Sequence, residues 1–152
     1  MPAARGRRFF ALAVSRDLLE QRSLKSDYLW IALGSAFGGV GRYWLSGVIA
    51  QRFGEVFPIG TLVVNVTGSF LIGLVAALGD PEGRLLIHPT ARQFIMVGVL
   101  GGYTTFSSFS LQTLDLARKG QWLYAASNTI LSLVLCLLAV WLGHVLAQAL
   151  HR

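Results

Sequence analysis

Four apolar stretches alternate with short polar connectors along this chain, each close to the roughly 20 residues that a bilayer-spanning helix needs. The first covers about 28–50 and is interrupted only by Arg42. The second covers about 57–78, the third about 94–116 with a glycine-rich interruption, and the fourth about 122–145. Gln51-Arg52-Phe53-Gly54-Glu55 joins the first pair, and Pro58 suits the first turn of the helix that follows. Asp80-Pro81-Glu82-Gly83-Arg84 opens the second connector, and Asp115 to Gln121 forms the third. Tyr28, Trp30, Trp44, Trp122 and Trp141 lie near the predicted helix ends, where an aromatic belt belongs. The pattern predicts an all-α integral membrane protein: one domain over 27–152 with four transmembrane helices.

Residues 1–26 follow another pattern. Their apolar run, Phe9 to Val14, is too short to span a bilayer or to form a signal-peptide core. The segment reads either as an interfacial helix or as a basic tail, disordered or added by an upstream start.

Composition supports the membrane reading. The chain is 54% apolar and only 13% charged, against about 25% charged in average soluble domains. Its net charge of +6 does not point to nucleic acid, because six of the 13 Lys and Arg residues precede residue 26 and the rest sit at helix ends. Counting the tail, the positive-inside rule favours a cytoplasmic N-terminus. Without it, Arg84, Arg92 and Arg152 on one side balance Arg52, Arg118 and Lys119 on the other, and the core can insert either way up. The single cysteine, Cys136, excludes a disulfide framework and a cysteine metal cluster within one chain. His88, His144 and His151 fall at helix ends without a nucleophile beside them, so no enzyme site is expected.

The polar residues within the spans carry the candidate chemistry. No Asp or Glu falls in the central part of any span, which argues against a proton-coupled transporter of the small multidrug type. Neutral donors occur instead in rows: Thr61 and Asn65 are four apart, as are Asn128, Ser132 and Cys136. That spacing puts each set on one helix face, where the groups can donate to an anion or bond across helices as structural glue. Gly101-Gly102-Tyr103-Thr104-Thr105-Phe106-Ser107-Ser108-Phe109-Ser110 disfavours continuous helix. A break there offers carbonyl oxygens to a monovalent cation and helix N-terminal N–H groups to an anion; the bland alternative is a glycine packing notch. Phe106 and Phe109 share a face just beyond it, with positive ring edges suited to an anion or to simple packing. Arg42 reads equally as a snorkelling charge and as the mouth of an anion path. Four helices enclose little space for a pore, so association between chains is expected.

Three strings now matter together: Gly38-Gly39-Val40-Gly41-Arg42-Tyr43, Gly60-Thr61-Leu62-Val63-Val64-Asn65-Val66-Thr67-Gly68-Ser69-Phe70, and the Gly101–Ser110 string. In that order, over about 28–147, the chain resembles the CrcB/Fluc family of fluoride channels. The resemblance implies an antiparallel, dual-topology homodimer with two fluoride paths, in the bacterial cytoplasmic (inner) membrane. It also implies a structural sodium ion held by backbone carbonyls of Gly101 and Thr104. It puts Asn65, Thr61, Phe106, Phe109, Ser107, Ser108 and Ser132 along the fluoride path, with Arg42 beside it. Where some members carry Tyr, Ser and Glu, this chain has Asn128, Cys136 and Gln112. The implied function is passive, fluoride-selective conduction that lowers cytoplasmic fluoride. A non-conducting assembly subunit is the other reading, and it leaves the Gly-Gly-Tyr-Thr-Thr-Phe break without a purpose.

Overall fold

Each apolar run becomes helix in the computed structural model, which describes residues 3–54, 56–79 and 87–150, with side chains of the first helix described from residue 26 onward. The elements are α1 (Ala3–Phe53), α2 (Ile59–Leu78), α3 (Pro89–Gln93), a π-helical segment (Phe94–Leu100), α4 (Gly101–Tyr103), α5 (Phe106–Arg118) and α6 (Trp122–Leu150). No strand occurs among the described residues. The α3–α5 elements run end to end as one interrupted stretch, Pro89–Arg118.

Three stretches among the described residues are long and apolar enough to cross a bilayer by themselves: Ile59–Leu78, Pro89–Arg118 and Trp122–Leu150. With 20 residues, α2 is about 30 Å long, which matches a hydrocarbon core of about the same thickness. The expected first span, 28–50, is helical throughout, but Arg42, Ser35, Ser46 and several glycines dilute its apolar character. It continues without interruption from the basic segment, whose backbone is helical from Ala3. Whether that segment is interfacial concerns side chains that lie outside the described residues.

Local chemistry sets the helix ends. The third stretch begins ahead of the expected residue 94, because Pro89 occupies the first turn and His88 Nδ1 accepts the Thr90 N–H at 3.3 Å. Thr90 Oγ1 then donates to Asp27 Oδ1 at 3.0 Å, tying this end to α1. At the far end, Gln121 N–H bonds the Leu116 carbonyl at 2.9 Å and Gly120 N–H bonds that of Ala117 at 3.0 Å. This is a Schellman turn, and it requires the positive φ of 74° that Gly120 adopts.

Packing is built on small residues. On α2, Gly60, Gly68, Gly73 and Ala77 are buried. On α6, the buried set includes Ala125, Ala139, Gly143 and Ala147. The backbones approach so closely that a Cβ on Gly143 would run into the Phe70 carbonyl oxygen of α2. Likewise α1 meets the π-helical segment where Gly34 faces Gly98. Large apolar side chains point outward instead: Phe37 is 69% exposed, Tyr43 83% and Leu123 79%. In water this would be an aggregating surface. In lipid it is the ordinary arrangement, since close van der Waals contact between helices, rather than burial of apolar side chains, drives association there.

Candidate functional site

The third stretch stops being helical at its centre. Thr104 (φ −80°, ψ 155°) and Thr105 (φ −151°, ψ 113°) are extended, and α5 starts afresh at Phe106. The break thus falls on the last two residues of the 101–105 segment where the sequence predicts it. Upstream the chain is wound as a seven-residue π-helix, Phe94–Leu100, a feature that composition does not announce and that often marks functional sites. The Leu100 carbonyl accepts both the Thr104 N–H at 3.0 Å and the Thr104 hydroxyl at 2.9 Å.

Side chains replace the helical bonds lost at the break. Thr105 N–H donates to Asn65 Oδ1 at 2.8 Å, and Asn65 Nδ2 donates to the Thr105 carbonyl at 3.0 Å. One amide from α2 therefore satisfies both polar groups of one backbone residue. Thr105 Oγ1 caps α5 by accepting the Ser108 N–H at 3.1 Å, and it is within 3.1 and 3.2 Å of the Ser108 and Ser107 hydroxyls. Arg42 Nε donates to the Gly102 carbonyl at 3.2 Å. The Gly101 and Thr104 carbonyls receive no backbone N–H among the described residues. Free neutral carbonyls of this kind suit a hard monovalent cation. No cluster of His, Cys, Asp or Glu able to hold a metal occurs among the described residues.

Beside the break opens a cavity of about 1100 Å³, lined by Arg42, Ser46, Thr61, Thr105, Ser108 and Gln112, with Asp115 and Lys119 also on its wall. Much of its wall is apolar, from Val40, Trp44, Val48, Phe57 and Ile59, and the polar groups set into it are neutral hydroxyls and amides plus the guanidinium of Arg42, whose Nε is already committed to Gly102. Phe106 and Phe109 stand next to it with ring centroids 5.3 Å apart and planes tilted by 49°. Phe106 is 79% exposed on the lone chain, so the face that carries it awaits either lipid or a second subunit.

The structure thus brings Arg42, Thr61 and Ser108 to one cavity, and clusters Asn65, Ser107, Phe106 and Phe109 around the break. Ser132 lies apart: it is 8% exposed on α6 and does not line the cavity. Asn128, one turn before it, is 2% exposed and donates to Thr113 Oγ1 at 2.8 Å, which in turn donates to the Phe109 carbonyl at 2.8 Å. Asn128 is therefore structural glue between α6 and α5, linked through Thr113 to the backbone of Phe109. Gln112 Oε1 is buried without a partner among the described residues. Sequence reasoning missed Thr105, the hub of the break. The available signal was a Thr three residues ahead of Ser108 at a helix start, an N-cap pattern.

Fold and site together define a multi-pass, all-helical membrane protein with one interrupted span beside a cavity into which neutral donors are set. Residues 29–144 match the family described as CrcB-like protein, Camphor Resistance (CrcB), and the chain belongs to that family. A protein of Opitutus terrae named fluoride-specific ion channel FluC is 64% identical over 83% of this chain and 96% of its own length. A Methylocella silvestris protein of the same name is 55% identical over 83% and 96% respectively. One from Rhodospirillum rubrum is 61% identical over 82% and 97%. Each bears the name of an ion channel and not of an enzyme, in keeping with the sequence expectation.

Proposed function

We propose that this chain is a fluoride-selective passive channel that exports fluoride and lowers its cytoplasmic concentration, acting as an antiparallel homodimer in the bacterial cytoplasmic membrane. The observation that carries the reading is a cavity into which the neutral donors Thr61, Thr105 and Ser108 are set with Arg42, next in sequence to the paired rings of Phe106 and Phe109. Fluoride is small and strongly hydrated, so a selective path must replace its water in stages without holding it too tightly to release. Hydroxyl and amide donors followed by positive ring edges do this. A carboxylate in the same place would repel the ion. The names of the relatives point to the same ion.

A second copy would complete the same path. The rings of Phe106, Phe37 and Tyr43 are uncovered on the lone chain, and pairing with a second subunit over Phe106 would enclose a ring that a lone chain leaves open. Gly101 and Thr104 carbonyls from each subunit would then hold a structural sodium ion, which would supply positive charge that offsets the carbonyl dipoles facing one another at the centre. Neutral Ser107 and Ser108 hydroxyls would extend the fluoride path beyond the break, and Ser132 would join it only if its side chain turned from its buried position.

The direct test is efflux from liposomes containing the pure protein. Fluoride should leave much faster than from protein-free liposomes, and chloride should not follow. Efflux at the protein-free rate, or equal chloride flux, would overturn the reading. Phe106→Ile removes the ring edge while keeping an apolar side chain on an exposed position. At about 0.5–1.5 kcal/mol for an aromatic edge contact, fluoride efflux should fall by up to roughly tenfold, with an unchanged gel-filtration profile. Wild-type flux in this variant would remove Phe106 from the path.

A further inference from the structure

We propose that Asn65 and Thr105 are positioning residues for the cation site, a claim that rests on the sodium reading above. They hold it open by capturing the two backbone N–H groups that would otherwise fill it. In a continuous α-helix the N–H of residue i bonds the carbonyl of residue i−4. The natural partner of the Gly101 carbonyl is therefore the Thr105 N–H, and that of the Thr104 carbonyl is the Ser108 N–H. Neither bond forms. The Thr105 N–H goes to Asn65 Oδ1 at 2.8 Å, and the Ser108 N–H goes to Thr105 Oγ1 at 3.1 Å. The intervening Gly102 carbonyl is treated the other way: it lacks a helical donor too, and Arg42 Nε supplies one at 3.2 Å. The side chains thus sort the carbonyls of the break, closing Gly102 and leaving Gly101 and Thr104 open, with the Tyr103 carbonyl likewise without a side-chain donor among the described residues.

This sorting explains why a mid-span amide stands at position 65. Only a side chain with an acceptor and a donor on one carbon can take the Thr105 N–H while also satisfying the Thr105 carbonyl at 3.0 Å. Asn65 has one amide N–H left over, so its positioning role is compatible with a place on the anion path. The two ion sites share a single support.

The experiment is the sodium concentration giving half-maximal thermal stabilisation of the purified protein, titrated against N-methylglucamine at constant ionic strength. Thr105→Val keeps the shape but loses the oxygen that captures the Ser108 N–H, and Thr105→Ser restores it. Asn65→Leu frees the Thr105 N–H to return to Gly101. Because one competing hydrogen bond regains a carbonyl, half-maximal sodium should rise about fivefold in Thr105→Val and in Asn65→Leu. It should stay within about twofold of wild type in Thr105→Ser and in Phe106→Ile, which alters the anion path only. A sodium-dependent wild type with unshifted Thr105→Val would overturn the positioning claim alone. A wild type whose melting temperature ignores sodium would overturn the sodium reading, and the positioning claim with it. Should Asn65→Leu fail to fold, the Thr105 pair decides.

Discussion

Thr61→Asp is expected to reduce fluoride efflux by roughly 100-fold while the protein still purifies as a folded species. Thr61 is 8% exposed and lines the cavity with Arg42 and Ser108. A carboxylate there faces an entering anion at short range. Two like charges about 5 Å apart, at an effective dielectric of about 20, repel by about 3 kcal/mol, which corresponds to roughly two powers of ten in rate. If the new carboxylate pairs with Arg42 instead, it cancels the positive charge on the same cavity, and flux falls by that route as well. Thr61→Asn keeps a neutral donor and should stay within a few-fold of wild type. Liposome efflux of the two variants decides the matter: equal rates would show that the anion does not pass this wall.

The second large effect concerns assembly of the helices. Gly143→Leu should lower thermal stability by about 3 kcal/mol, near the upper end of overpacking costs, and shift the melting temperature down by about 6–12 °C. A Cβ at this position runs into the Phe70 carbonyl oxygen, which is backbone and cannot rotate away. The α2–α6 pair would have to separate, stripping contact from fully buried Val64 and Ala147. Thermal unfolding in detergent measures it. A control such as Leu142→Val, at an exposed position one residue away, should change little. An unshifted Gly143→Leu would mean that the two helices do not meet here.

The apolar runs were readable because lipid imposes a length rule on each segment separately: a helix satisfies its own backbone bonds, so its existence needs no partner. The break was readable for a similar reason, since glycines followed by β-branched and hydroxyl residues weaken the helix locally. Thr61, Asn65 and Phe106 could be singled out by spacing alone, because a polar group or a ring pair in an otherwise apolar run stands out. Their partners could not. Asn65 and Thr105 are 40 positions apart, and Arg42 and Gly102 are 60 apart. No periodicity within one helix encodes a contact between two.

Asn128 shows the same limit from the other direction. Its four-residue spacing from Ser132 fits both donors to an anion and glue across helices, and Asn128 is buried against Thr113, which bonds the Phe109 backbone. Position on a face is a property of the helix. What that face meets depends on how α5 leaves the Gly120 turn and folds back on α6.

The sequence by itself determined that this is an all-helical membrane protein with an interrupted span and no acid in the central part of any span, because each of those properties belongs to a single segment in a nonpolar solvent. Only the tertiary structure decided which carbonyls of the break stay open and which are closed. Arg42 on α1 closes Gly102 and Asn65 on α2 takes the Thr105 N–H, and both hydrogen bonds exist only once the helices are packed.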